Sequence, residues 1–286
     1  MPGIYSFWQL FGHNLPDHNF TAMITKLPPH PCLSKIVDYY WIEQNGSSNV
    51  RVLPDGTASI VFNLGSPVNI YGIKGDYRNL KSQFLVGTQK RYYFMEEVNN
   101  TFIVGVKFTH GGAYHLLKQP MKNFSNQVFE LEEVLGCNVE KVRREIINAE
   151  NGSDIKKLLD YFLIIRSDML EDNMEVVENA LREVKDNTSP SLIKSFCEKQ
   201  NISNKHLISL FNKKVGVSPK LLQRLNKFTK VIFAVQNRKH FNWSELAYEY
   251  NYYDQAHLIN EFKSFSGISP KVYLRNKNIN GLRIIN

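Results

Sequence analysis

Asn204, Lys205, Ser209 and Asn212 are polar residues at successive steps of one, four and three positions, and Gln255, Ala256, Asn260 and Lys263 repeat that spacing 51 residues later. On a helix, such steps gather each set on one face. Amide, hydroxyl and ammonium groups held on one face match the donor and acceptor pattern of base edges in a DNA groove. The chemistry offered is recognition rather than bond-making.

Reactive groups elsewhere do not converge. His110 and His115 stand five apart across Gly-Gly-Ala-Tyr, but no H-x-H with a trailing Glu accompanies them. No H-E-x-x-H, G-x-S-x-G or glycine-rich phosphate loop occurs. His13, His18 and His30 lie in proline-rich loop sequence, and Cys32, Cys137 and Cys197 lack C-x-x-C spacing, so neither a disulfide framework nor a zinc site is indicated. The expectation is no catalytic residue, no metal and no cofactor.

The elements that must hold the two polar faces follow from capping and periodicity. Ser203 and Asp254 are suited to N-cap two helices. Leu207, Leu210 and Phe211 give the first a buried stripe, and Leu258 and Phe262 do so for the second. A short helix precedes each: Leu192, Ile193, Phe196 and Cys197 lead into the turn Gln200-Asn201-Ile202, while Trp243, Leu246 and Ala247 lead into the longer turn Asn251-Tyr252-Tyr253. Helix, tight turn and exposed helix make a helix-turn-helix unit. Between the units, Leu221, Leu225, Phe228, Ile232 and Val235 recur at steps of four, three, four and three, predicting one helix over Pro219–Asn237. At 1.5 Å per residue it is ~28 Å long, close to the ~34 Å between successive major-groove contacts on one face of a duplex. Ser203, Lys213, Lys220, Arg224, Lys227 and His257 are the candidates for phosphate contact.

Charge agrees with this division. Residues 1–173 hold 17 Lys and Arg against 18 Asp and Glu; residues 174–286 hold 18 against 9, so the net +8 resides in the last part. A neutral domain joined to a basic one suits a polyanion partner. The 286 residues, 43% hydrophobic and 22% charged, are enough for about two globular domains. No apolar run approaches the ~20 residues of a membrane span, and Met1-Pro2-Gly3-Ile4 lacks a basic-then-apolar export signal. A cytoplasmic protein is expected.

The first part reads as strands. Ile36–Ile42 and Thr101–Phe108 are rich in β-branched and aromatic residues, and Val50–Leu53 and Thr57–Phe62 flank Pro54-Asp55-Gly56, which reads as a hairpin turn. From about Asn123 the period becomes helical; Asn151-Gly152-Ser153-Asp154 separates Val139–Ala149 from a helix striped by Ile155, Leu158, Leu159, Phe162 and Leu163. That stripe is expected at a dimer contact, with docking on the β part as the alternative. The fold class is α+β multidomain: a mostly-β, barrel-like (cupin-like) sensory or dimerisation domain over 1–135, a helical linker over 136–173, and an all-α DNA-binding domain over 174–286.

Residues 174–277 resemble the DNA-binding domain of AraC/XylS-type bacterial transcription regulators. The match is strongest along Ala247, Asn251-Tyr252-Tyr253-Asp254-Gln255-Ala256-His257-Leu258, Phe262-Lys263, Gly267, Ser269-Pro270 and Tyr273, with a degenerate copy upstream. The resemblance implies two helix-turn-helix units on a long helix, sequence-specific binding to double-stranded DNA, recruitment or blocking of RNA polymerase, and homodimers. Asn201 and Asn251 stand where the family has glycine, and asparagine tolerates the left-handed turn. Cys197 replaces an alanine-like packing residue. Ser209 and Asn260 replace arginines, removing the bidentate contact to guanine there, and Ile208 and Ile259 put methyl groups within reach of thymine. The first part resembles a barrel-like domain of uncharacterised regulators through Arg51, Leu53-Pro54-Asp55-Gly56, Ile60-Val61-Phe62, Gly105-Val106-Lys107-Phe108 and Gly111-Gly112-Ala113. This implies a sensory or dimerising role and names no ligand; a small-molecule effector in this domain is the partner expected of a sensory role. The competing readings are an enzyme in the barrel with the basic part as tether, and a protein-binding module.

Overall fold

The computed structural model describes residues 23–44, 50–72, 77–80, 82–97, 101–136, 139–167, 174–238, 240–275 and 282–283. Eleven strands lie among them: β1 (Met23–Leu27), β2 (Val37–Gln44), β3 (Val50–Val52), β4 (Ser59–Asn63), β5 (Val68–Tyr71), β6 (Tyr77–Leu80), β7 (Gln83–Val86), β8 (Tyr93–Glu97), β9 (Phe102–Phe108), β10 (Val128–Glu130) and β11 (Leu282–Arg283). They form a six-stranded sheet, ordered β1-β2-β9-β4-β7-β10, and a five-stranded sheet, ordered β11-β3-β8-β5-β6. All pairings are antiparallel except β11 with β3.

Alternation along β4 and β9 explains the layering. Val61 and Ile103 point into the core between the sheets, with Trp41, Val52, Ile70, Phe84 and Tyr93. Their neighbours Ile60, Phe62, Val104 and Val106 point the other way, onto helices. Successive side chains of a strand face opposite sides, so a strand buried along its whole length, as β4 is, needs cover on both faces. The helices supply it: α1 (Gly112–Leu117), α2 (Leu131–Leu135), α3 (Val139–Ile147) and α4 (Gly152–Ile164). Asn151 caps α4, accepting from the Asp154 N–H at 3.1 Å.

Two expectations are corrected here. Ile155, Leu159, Phe162 and Leu163 of α4 lie in the core beneath the six-stranded sheet, with Leu158 packed at its edge, so the stripe is internal packing rather than a dimer contact. And β3 and β4 do not form a hairpin: β3 pairs with β8 and β11, while β4 pairs with β7 and β9. The turn chemistry is present, with Gly56 at φ +83°, but the connection passes between sheets. Asp55 accepts from the Thr57 N–H and hydroxyl at 2.9 and 2.8 Å and forms an ion pair with Lys107 of β9. Burial pushes the Asp55 carboxyl up, but Lys107 and the Thr57 donors outweigh it and hold the group below its ordinary value.

Among the described residues seven helices follow: α5 (Met174–Asp186), α6 (Leu192–Lys199), α7 (Asn204–Lys214), α8 (Pro219–Asn237), α9 (Trp243–Glu249), α10 (Gln255–Ser266) and α11 (Pro270–Arg275). They make two apolar clusters. One joins α5, α6 and α7 to Leu222 of α8; the other joins α9, α10 and α11 to Leu225, Phe228, Ile232 and Val235 of α8. Leu221 packs against both. Cys197 is buried in the first cluster, as a packing residue. No helix among the described residues is long and apolar enough to cross a membrane.

Candidate nucleic-acid interface

Each helix-turn-helix unit is built from local rules. In the first, Asn201 takes the left-handed conformation at φ 52° between α6 and α7; in the second, Asn251 does so at φ 56° between α9 and α10. Asparagine populates this region more readily than other non-glycine residues. The Ser203 hydroxyl then accepts from the His206 N–H at 3.1 Å, and the Asp254 carboxylate accepts from the His257 N–H at 2.7 Å. Leu207 and Phe211 turn one face of α7 inward, and Leu258, Phe262 and Phe265 do the same for α10.

The opposite faces carry the polar sets. Asn204, Lys205 and Ser209 are exposed on α7, with Asn212 half-buried beside them; Gln255, Ala256, Asn260 and Lys263 are exposed on α10. The Gln255 carboxamide oxygen accepts from the Ser244 hydroxyl at 2.8 Å, which orients the group from the preceding helix. Ile208 is 37% exposed on the same side as its polar neighbours, and Ile259 is half-buried.

The phosphate candidates divide. Ser203, Lys213, Lys220 and His257 are exposed. Ser203 is engaged as a cap, and the His257 ring accepts from the Tyr253 N–H at 3.3 Å and stands edge-on to Tyr252. The Lys213 ammonium lies 5.7 Å from the Tyr114 ring of α1. Arg224 is half-buried and engaged within the fold: its guanidinium clasps Glu261 of α10, with Nε 3.0 Å from both carboxylate oxygens, so it ties α8 to α10. Lys227 donates to the Asn251 carbonyl at 2.8 Å, and burial pushes its ammonium below the ordinary lysine value against the pull of Glu261. Both residues brace the second unit. Spacing alone placed them on a polar face but gave no sign of partners 37 and 24 residues away.

Two exposed tyrosines escaped the sequence reading. Tyr253, beside the α10 cap, is 93% exposed, and Tyr248 on α9 is 88% exposed. The adjacent Tyr252 is buried, so of the two tyrosines in this turn only the first packs.

Two of the cavities are lined by the β part. One of about 40 Å³ lies between the sheets, lined by Trp41, Phe84, Tyr93 and Gln89. A cleft of about 730 Å³ runs between the β part and α5 and α8, lined by Lys35, Asp38, His110, Arg182 and Asn226. Asp55, Thr57 and Lys107 line both. His110 donates from Nε2 to the Asp55 carbonyl at 3.1 Å, and burial, only partly offset by Asp55, holds its imidazole below the ordinary value. Among the described residues no group of three or more His, Cys, Asp or Glu is placed to hold a metal ion.

Two helix-turn-helix units on a shared long helix are what the resemblance of residues 174–277 to AraC/XylS-type regulators implies, and the two-sheet β part stands where the barrel-like domain was expected. Residues 25–130 match the family model described as a domain of unknown function (DUF6597). No curated protein shows significant sequence similarity to the chain. Among solved structures, ToxT from Vibrio cholerae is 14% identical with a TM-score of 0.47, covering 89% of this chain and 97% of that one. The unsaturated fatty acid-bound form of ToxT is 14% identical with a TM-score of 0.46, over 91% and 97%. The AraC-like transcriptional activator CuxR is 15% identical with a TM-score of 0.27, over 77% and 85%. At these scores neither ligands nor residue roles transfer, and the functional reading rests on the chain's own units.

Proposed function

We propose that the chain is a sequence-specific DNA-binding transcription regulator of AraC/XylS type, placing α7 and α10 in adjacent major-groove segments. One observation carries this reading: the same capped, polar-faced helix is built twice, 51 residues apart, and both copies are mounted on α8. A shared rod of ~28 Å suits two contacts along one side of a duplex. Asn204, Lys205, Ser209, Asn212, Gln255, Ala256, Asn260 and Lys263 face the bases in this reading; Lys213 and Lys220, with the hydroxyls of Tyr248 and Tyr253, meet phosphates. The cleft beside His110 and Lys107 has the volume of a small-molecule effector site. The exposed Tyr161, Ile164 and Ile165 of α4 and its C-terminal end form the surface for a second copy. RNA polymerase is the further partner, in the cytoplasm.

The test is selection of random duplex DNA by the purified full-length chain, read by sequencing. Enrichment of two elements about one helical turn (~10.5 base pairs) apart is expected. Failure to enrich any sequence at moderate salt overturns the reading and returns attention to the β part as a catalyst or the helices as a protein-binding surface.

A further inference from the structure

The two units end in equivalent turns, and the β part grips both. Residues 215 and 216 of the first unit correspond to 266 and 267 of the second in the 51-residue repeat. Gly216 and Gly267 both sit at positive φ, 90° and 73°. The last carbonyls of a helix have no partner within it, and here the donors come from the β part. The Thr88 hydroxyl donates to the Val215 carbonyl at 3.0 Å, and the Ser125 hydroxyl to the Gly216 carbonyl at 2.6 Å. At the other unit, the Arg51 guanidinium donates to the Ser266 carbonyl at 2.9 Å, and the Tyr92 N–H to the Phe265 carbonyl at 3.1 Å. A cation at a helix C-terminus is favoured by the helix dipole. The approach is close: a Cβ at Gly216 would stand 2.9 Å from the Met121 carbonyl oxygen, and one at Gly267 would stand 2.3 Å from the Tyr92 ring.

Thr88 and Tyr92 belong to one short connection, residues 87–92 between β7 and β8, and that connection is itself held. The Gly87 N–H donates to the Gln127 carbonyl, the Asn126 N–H to the Thr88 carbonyl, and the Lys90 N–H to the Asn126 side chain, all at 2.8 to 3.0 Å. Arg51 is seated 4.9 Å from the centres of both the Tyr92 and Phe94 rings. Within the helical part, the two apolar clusters meet at Leu221 of α8. One helix can twist and bend; the Asn251 amide donates to the Thr188 hydroxyl at 2.7 Å and ties the units on one side, and the grip from the β part ties their far ends.

Resting on the DNA-binding reading, we propose that Arg51 and Thr88 are positioning residues which, through the 87–92 connection, set the separation and orientation of the two recognition helices, and so the spacing of DNA elements the chain accepts. Neither residue touches DNA in this arrangement. The grip leaves the N-terminal ends and polar faces of α7 and α10 exposed, so it aligns the helices without covering them.

The test uses the full-length chain and the duplex enriched by the selection above. That duplex is compared with versions whose two elements are moved by one, two or five base pairs, and with one carrying a single element. Wild type is expected to lose about tenfold or more in affinity when the elements move by two base pairs. In R51M/T88V that penalty shrinks about fivefold, as expected for two lost hydrogen bonds to helix ends, while single-element binding stays within about twofold. R51K/T88S, which keeps both donors, retains the wild-type profile. An R51M/T88V protein with wild-type single-element binding and an unchanged spacing profile overturns the proposal. Should that variant not fold, R51M alone decides by the same comparison, with amide hydrogen exchange in the free protein as the second readout. Faster exchange confined to 263–268 supports the grip, and unchanged exchange there refutes it. If wild type enriches no sequence, it is the DNA-binding reading that has failed.

Discussion

Asn201 and Asn251 show what a sequence reveals at the scale of one residue. Their left-handed backbone, like the caps at Ser203 and Asp254, depends on atoms within four positions, so it was legible before any fold was known. The bond from Arg224 to Glu261 joins different helices, and only the folded chain brings them together. Two predictions belong here. Ile259→Ala should weaken discrimination at a thymine position by about 1 kcal/mol, measured by competition between duplexes differing at one base pair; identical preferences at every base would exclude the methyl contact. Desolvation at half-buried His110 disfavours its protonation, whereas the unfolded imidazole accepts a proton near pH ~6.5. Its contribution to stability is therefore complete above that range and shrinks on acidification through it. The melting temperature should fall between pH 7 and 5, and His110→Gln should reduce that slope.

Elements were legible where one face is buried. The step pattern of α8 gave its bounds, Pro219 to Asn237, because proline at the first turn and a continuous apolar stripe both act locally. Four strands, β2, β3, β4 and β9, were legible from their β-branched and aromatic runs, but not which sheet each joins: the 54–56 turn has the residues of a hairpin, and the choice between hairpin and crossing is made by partners such as Lys107 on β9. Periodicity likewise revealed the stripe of α4 without revealing what covers it. Adjacent residues on that helix now make opposite predictions. Phe162→Ala, which removes a ring packed edge-on against Phe62, should cost about 3–5 kcal/mol in denaturant unfolding and leave self-association per folded chain unchanged. Tyr161→Ser, at a position 67% exposed, should leave stability within about 0.5 kcal/mol and weaken dimers in sedimentation. A wild type that sediments as a monomer at all concentrations removes α4 as a dimer surface.

At the scale of the whole molecule, charge is unevenly divided. The excess of cations in residues 174–286 anticipates a polyanion partner, and affinity for the selected duplex should fall roughly 10³-fold between 50 and 200 mM salt if about six phosphates are contacted. Lys220→Ala should lower the slope of log affinity against log salt by about one, a change absent if Lys220 faces solvent in the complex. Less visible was the interlacing of the two parts, because β11 is too short to announce itself and its partner β3 lies more than 200 residues earlier. That pairing bears on how the chain is made and cut. During synthesis the five-stranded sheet waits for residues that emerge after every helix of the basic part, leaving the outer edge of β3 bare until then. A bare strand edge is a template for another chain. The boundary near residue 174, attractive for dissecting the protein, would make that exposure permanent in the first fragment, which should precipitate or pair with its own copies where the intact chain does not.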